Sequence, residues 1–202
     1  MIIEIIDTNK IADKQENSPA KYGDCWQLLS LKRAYAGRNV IQLAQDHAHK
    51  NTWLADAIKL KCPPYSFDAT LLKAELGQLM QQMYDIFVHT QIDDTKTLCS
   101  LASMANWTVI VVTHINTQSV AHVVELLSEL LKHRKHDSIL LVLMTSEDQA
   151  LMPQQSMEQS VEQQQVMLSI SQSLNIKTLV LPDASQIEQA VEKLYRAIFR
   201  PA

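Results

Sequence analysis

Short segments that are apolar almost throughout alternate along this chain with segments of helical periodicity. Two of them, WTVIVVTH at residues 107–114 and SILLVLMT at residues 138–145, contain no Asp, Glu, Lys or Arg. A strand can be apolar on both sides only where both faces of its sheet are covered, as in parallel sheets flanked by helices. The sequence therefore predicts an α/β fold: a single doubly wound, mostly parallel sheet with helices on both faces.

The remaining elements follow from the same patterns. Further strands are predicted at residues 1–7, 39–44, 84–90 and 177–182. Apolar residues at intervals of three and four predict helices at residues 24–36, 68–83, 118–133, 155–173 and 185–199, with shorter ones at 52–60 and 97–105. Asp24 is predicted to cap the first helix and Gly37 to end it.

Composition narrows the range of functions. The 202 residues suit one domain, predicted to span residues 1–202, and 47% of them are hydrophobic. A net charge of −4 gives no general reason to expect a nucleic-acid partner. The three cysteines form no CxxC pair, so neither a disulfide framework nor a zinc site is predicted from them. No apolar run approaches the roughly 20 residues that a membrane span needs, so we do not expect direct membrane insertion. We expect a cytoplasmic location.

The order of features resembles that of a known family. YDIFVHT (residues 84–90) precedes a short helix, the strand WTVIVVTH, a helix and the strand SILLVLMT, and TLVLPDASQIEQAV (178–191) resembles a last strand, Pro turn and terminal helix. LLSLKRAYAGRNVIQLAQD (28–46) is similar to a first helix, Gly turn and second strand. This order resembles the ParA/MinD family of deviant Walker ATPases over nearly the whole chain. The resemblance implies a P-loop NTPase-like fold of the ParA/MinD type.

The family's Gly-rich Lys motif aligns with a segment that lacks its chemistry. The aligned phosphate-loop residues are Ser18, Pro19, Ala20, Lys21, Tyr22 and Gly23. Glycines let successive backbone N–H groups turn toward phosphate, and a Lys reaches its oxygens. Here Pro19 has no N–H, Tyr22 takes the place of the phosphate Lys, and no glycine occurs from residue 8 to 22. A shift by one residue restores Lys21 but leaves the cradle without glycine.

Three other positions depart from the family pattern. Ala44 stands where a catalytic carboxylate is expected, with only Asp46 nearby, and His89 replaces the acid that holds the metal shell. Thr145 replaces the base-contacting Asn. Phosphoryl transfer depends on positioning and charge neutralisation, and residues for both are missing. The resemblance thus implies a degenerate, non-catalytic pseudo-ATPase without catalytic residues, cofactor or resident metal.

The resemblance also implies a role through protein partners. It predicts a binding, positioning or assembly subunit in partition, polar localisation, or secretion, pilus or polysaccharide machinery. Such a subunit would form a homodimer, or a heterodimer with a ParA/MinD-like relative, and would be recruited to the membrane through a partner. The candidate interface or rim residues are Lys21, Tyr22, Asp46, His47, His49 and His89.

Two other functions remain open at this point. The first is an active, nucleotide-binding ATPase with an unorthodox phosphate loop that uses Lys21, Asp46 and His89. The second is a DNA-associated accessory protein that uses the basic residues 132–136, although the same residues suit the negative C-terminal pole of a helix. Asp46, His47 and His49 form a D-H-x-H pattern that can bind a transition metal or lie in a polar loop.

Two predicted roles are structural rather than functional. His89, on a buried strand, suits a hydrogen-bonded position inside the protein, because buried polar groups need partners. Cys25 and Cys99 fall on apolar helix faces and are interpreted as inert core thiols.

Overall fold

The computed structural model describes residues 1–8, 21–44, 57, 60–62, 64–65, 72–82, 84–91, 98, 101, 103–112, 115–144, 154–181 and 186–199. Within these residues seven strands form one sheet: β1 (Ile2–Asp7), β2 (Val40–Ala44), β3 (Pro64–Tyr65), β4 (Asp85–Gln91), β5 (Trp107–Val112), β6 (Ile139–Met144) and β7 (Lys177–Leu181). The helices are α1 (Lys21–Tyr35), α2 (Leu72–Gln81), α3 (Thr117–Leu130), α4 (Gln154–Ser173) and α5 (Ile187–Phe199), with a 3₁₀ turn at His136–Ser138.

The sheet places its first strand in the middle. The strand order is β3-β2-β4-β1-β5-β6-β7, and every neighbouring pair is parallel. Ile5 of β1 lies beside His89 of β4 on one side and Val109 of β5 on the other. Because parallel neighbours need crossover connections, helices are carried to the sheet's faces. The predicted doubly wound parallel sheet is confirmed.

Alternating residues of each strand supply two separate layers of core. Ile3 and Ile5 of β1 pack in the layer that α1 and α5 cover, together with Leu29 and Leu194. The opposite face of the sheet is covered by α2, α3 and α4. Its apolar residues include Ile2, Leu76, Ile6, Leu127 and Met167. Burial on both faces explains why β5 and β6 read as unbroken apolar runs.

The turn after α1 follows the prediction. Gly37 has a φ of 85°, in the left-handed region, and its N–H donates to the Ala34 carbonyl at 3.0 Å. Residues with a Cβ rarely adopt this conformation, so glycine is the favoured helix-ending residue here.

Several boundaries differ from the prediction by a few residues, and one short strand was not predicted. Helix α1 begins at Lys21, so the prediction that Asp24 caps it was wrong: Asp24 lies within the first turn. Strand β3 was not predicted, because a Pro pair reads as a break; Pro64 stands first in this two-residue edge strand, where a missing N–H is tolerated. Strand β4 continues to Gln91, one residue beyond the predicted end.

Within the described residues, no helix combines the length and apolarity that a membrane crossing requires.

Candidate functional site

The edge of the sheet where strands end is the place for ligands in open α/β folds. Strand β1 ends there at Asp7 and α1 begins at Lys21, and these are the two elements that flank the phosphate loop in P-loop folds. Thr8 continues β1: its N–H and Oγ1 both donate to the Val111 carbonyl, at 3.2 and 3.0 Å. The Thr90 hydroxyl donates to the Ile5 carbonyl at 3.4 Å. Threonines thus tie the ends of the three central strands together.

Of the residues aligned with the phosphate motif, the structure describes only those at the start of α1. Lys21, Tyr22 and Gly23 form its first turn, so their backbone is helical. Ser18, Pro19 and Ala20 lie outside the described residues. A helix N-terminus favours anions through its free N–H groups and its dipole. The glycines that would let the preceding backbone wrap phosphate are missing from the sequence of the connection.

His89 lies within β4 rather than at its end. Its neighbours in the sheet are Ile5 of β1 and Ala44 of β2, and two more residues of β4 follow it. The side chain is half-buried and takes part in an interaction. It alternates with Phe87, which packs in the α1 and α5 layer, so His89 lies on that same face. This position agrees with a structural histidine near the rim.

The other predicted rim residues follow β2. Strand β2 ends at Ala44 next to β4, and Asp46, His47 and His49 lie outside the described residues. Where the structure describes the chain, no three His, Cys, Asp or Glu side chains cluster as metal ligands would. The D-H-x-H metal site therefore stays a sequence hypothesis, as does the shared position of these residues with His89.

The described cysteines suit the core. Cys25 of α1 is buried in the α1 and α5 layer, and burial raises the pKa of its thiol to about 12. Burial likewise raises the pKa of the Cys62 thiol to about 11, against a smaller opposing effect of a hydrogen bond with Ser30. Thiols that stay protonated near neutral pH are poor nucleophiles. Cys99 lies outside the described residues.

Three residues of the basic segment after α3 form ion pairs or hydrogen bonds with other residues of the chain. Lys132 and His133 approach Glu129, one turn earlier. Arg134 is half-buried: Nη1 donates to the Ala105 carbonyl and Nε donates to Ser138 Oγ at 3.2 Å. These contacts favour the helix-end interpretation of residues 132–136 over a DNA-binding surface.

Two buried carboxylates were missed by sequence reasoning, and the first is Glu4. It lies fully buried in the middle of β1, where Oε2 accepts a hydrogen bond from Thr108 Oγ1 at 2.9 Å and Oε1 has no hydrogen-bond partner within the described part of the chain. Burial raises its pKa to about 8, against the opposing effects of Thr108 and Arg134. The available signal was one acid inside the apolar run MIIEII.

The second missed carboxylate is Asp85, at the start of β4 and thus at the opposite edge of the sheet. Its Oδ2 lies 2.7 Å from Arg33 Nε and 3.6 Å from Arg38 Nε, and its Oδ1 lies 3.3 Å from the Met1 amino group. The Arg33 guanidinium lies over the Phe199 ring, 4.3 Å from its centroid. Asp85 therefore ties α1 and α5 to the sheet and lies away from the phosphate-loop edge.

Comparison with known proteins shows the fold. No protein-family model and no curated protein matches the chain. The chain is similar to the hydrogenase maturation factor HypB from Archaeoglobus fulgidus, with a TM-score of 0.52 and 11% identity over 96% of this chain and 87% of that one. It is also similar to the MinC:MinD cell division protein complex from Aquifex aeolicus, with a TM-score of 0.50 and 10% identity over 98% and 86%. The chain has a P-loop NTPase-like α/β fold.

Proposed function

We propose that this chain is a non-catalytic, pseudo-ATPase relative of the ParA/MinD proteins that acts as a binding, positioning or assembly subunit. The observation that carries the proposal is the connection between β1 and α1. In the sequence it follows the first strand and precedes the first helix, as the phosphate loop does in P-loop NTPases, yet no glycine occurs in it. A fold whose nucleotide-binding connection lacks the residues for phosphate is suited to binding a protein instead.

The chemistry of phosphate binding explains why this one feature matters. Successive N–H groups must point inward around the phosphate, which needs backbone conformations that residues with a Cβ resist. Pro19 removes one donor altogether. The rim supports the same conclusion: β2 ends at Ala44, which has no carboxylate, and β4 carries His89 where the family has an acid.

A protein partner is the second part of the proposal. The MinD neighbour is a component of a complex with MinC, so this fold can serve protein assembly. We propose that the partner binds at the edge of the sheet where α1 begins. The proposed surface includes Lys21, Tyr22 and His89. It also includes the segment that contains Asp46, His47 and His49. The partner is a second copy of this chain or a ParA/MinD-like relative, and binding needs no nucleotide.

Thermal unfolding with and without Mg-ATP, Mg-GTP and ADP tests the missing nucleotide site. A ligand at tenfold its Kd stabilises the folded state by about 1.4 kcal/mol. That would raise Tm by about 3–6 °C in a domain of this size. We expect no change in Tm, while an active ATPase of the ParA/MinD family, measured in parallel, shows the full rise.

Two variants make the nucleotide result decisive. Lys21→Ala removes the one basic side chain of the aligned motif, and Lys193→Ala removes an exposed Lys on α5 as a control. A rise in Tm that Lys21→Ala abolishes and Lys193→Ala preserves would overturn the proposal in favour of an unorthodox ATPase.

Affinity purification of the tagged chain from its native cell tests the partner surface. We expect recovery of a co-purifying protein to fall in a Lys21→Ala/Tyr22→Ala variant and to persist in Lys193→Ala. Equal recovery with both variants would place the partner elsewhere on the molecule.

A further inference from the structure

A buried polar cluster crosses the face of the sheet that carries α2, α3 and α4. It consists of Glu4 on β1, Thr108 on the neighbouring strand β5, and Arg134 in the turn after α3. Glu4 and Thr108 are fully buried, and Arg134 is half-buried. The cluster lies apart from the phosphate-loop edge, and the proposed function does not use it.

The carboxyl group of Glu4 is only partly satisfied. Thr108 Oγ1 donates to Oε2 at 2.9 Å, and Oε1 has no hydrogen-bond partner among the residues that the structure describes. Strand β4 presents the apolar Val88 beside Glu4, and β5 presents the uncharged Thr108. A carboxylate in such surroundings needs a cation within reach, whereas the protonated acid does not.

Among the described residues, Arg134 is the cation whose positive charge favours the ionised form of Glu4 and so lowers its pKa. Its guanidinium is held by Nη1 donating to the Ala105 carbonyl, by Nε donating to Ser138 Oγ at 3.2 Å, and by Nη2 donating to the Ser138 carbonyl at 3.4 Å. The negative charges of Glu4 and Asp137 both favour the protonated form of Arg134. Arg134 therefore joins the turn after α3 to the backbone that precedes β5.

That backbone holds the strand on which Glu4 lies. The Asn106 side-chain Oδ1 accepts from the Ile2 N–H at 2.8 Å, and the Asn106 N–H donates to the Ile2 carbonyl at 2.8 Å. These two hydrogen bonds anchor β1 at Asn106. The Ala105 carbonyl that Arg134 binds belongs to the residue just before Asn106. A movement of Arg134 would release a contact next to that anchor.

We propose that Glu4 and Arg134 form a proton-linked latch: when Glu4 loses its proton, the Arg134 guanidinium turns from the Ala105 carbonyl to the carboxylate. With Glu4 protonated, Arg134 stays on Ala105 and the latch is closed. With Glu4 ionised, the pair forms inside the protein and the backbone at Ala105 and Asn106 loosens. Ionisation of Glu4 is thereby coupled to the backbone contacts that anchor β1.

Amide hydrogen exchange at Ala105 and Asn106, measured by NMR between pH 6 and 8 and divided by the intrinsic rates, tests the latch. If opening follows ionisation of Glu4, the corrected exchange rises by about tenfold per pH unit below the Glu4 midpoint. We expect this rise in the wild type and in Glu162→Gln, an exposed control on α4, and no rise in Glu4→Gln. The same corrected profile in wild type and Glu4→Gln would overturn the latch.

A carbon-13 titration of the Glu4 carboxyl tests the role of Arg134 directly. In Arg134→Met the cation that favours the ionised form is gone, so the midpoint moves to higher pH. An unchanged midpoint in a folded Arg134→Met protein would contradict the pairing. If that variant does not fold, the exchange comparison between wild type and Glu4→Gln alone decides.

Discussion

Folding changes the ionisation of Glu4. Burial raises its pKa from 4.5 to about 8, so the folded chain keeps a proton that the unfolded chain loses above pH 4.5. Between these two values the folded state binds more protons than the unfolded state. The free energy of unfolding therefore falls as pH rises between them, by up to about 1.4 kcal/mol per pH unit.

Replacement of Glu4 by Gln should remove this pH dependence. The amide keeps an oxygen that accepts from Thr108 and has no proton to lose near neutrality. We expect Glu4→Gln to gain stability relative to wild type as pH rises from 5 to 8, by about 1 kcal/mol per pH unit. Urea unfolding at several pH values measures the difference, and parallel stability curves for the two proteins would contradict it.

Gly37 and Gly77 form a matched pair for a second prediction. An added Cβ would meet no atom within 4 Å at either position, so only backbone conformation decides the effect. At Gly37, with a φ of 85°, alanine should destabilise by about 1 kcal/mol. At Gly77, inside α2, alanine should stabilise by about 0.5–1 kcal/mol. Chemical denaturation measures both, and equal signs would refute a conformational origin of the two effects.

Single residues were predicted best where local conformation decides. Gly37 could be assigned from sequence because helix ends have a short-range chemical signature. Glu4 and Asp85 could not, because their partners Thr108 and Arg33 are far away in sequence and meet them only across the finished sheet. The phosphate-loop location was predictable from element order, whereas the contacts of His89 depend on which strands flank it.

At the scale of elements, α1, α5 and the start of β4 are joined by charge as well as by core packing. Asp85 is nearly fully buried and bonds Arg33 of α1, whose guanidinium lies over Phe199 of α5. On the surface of the same helix pair, Glu192 of α5 pairs with Lys32 of α1. The buried ion pair joins β4 to α1 and the exposed one joins α1 to α5, so α1 takes part in two ion pairs that differ in burial.

Asp85→Asn should destabilise the chain by about 3 kcal/mol, because it leaves a largely buried Arg33 without its carboxylate. Glu192→Gln is the matched control: its ion pairs are solvent-exposed, so we expect a far smaller effect. Unfolding in urea at neutral pH and low salt measures both. An equal loss of unfolding free energy in the two variants would mean that burial does not determine how much the Asp85 ion pair stabilises the fold.

Elements were predictable to the extent that their burial shows in the sequence. β5 and β6, buried on both faces, were located to within two residues, since an unbroken apolar run of this length is typical of a strand covered on both sides. The two-residue β3 at the edge leaves no such pattern, and its pairing depends on β2. The start of α1 was placed three residues late because Asp24 offered a cap that the structure does not use.

At the scale of the whole molecule, the proposed loss of nucleotide control has a consequence for assembly. If the connection between β1 and α1 cannot hold a triphosphate, no nucleotide can bring two subunits together through it. We expect the molar mass from size-exclusion chromatography with light scattering to be the same with and without Mg-ATP, at any protein concentration. A mass that doubles only with Mg-ATP would contradict the proposal.

The central place of β1 in the sheet also affects synthesis of the chain. Both neighbours of β1 are encoded about 80 or more residues later, so at about 5–20 residues per second a ribosome exposes this apolar strand for several seconds before it can pair. During that time Glu4 is in water and ionised, and a charge within an apolar strand opposes aggregation. We therefore expect the Glu4 carboxylate to oppose aggregation of the nascent chain before the sheet forms.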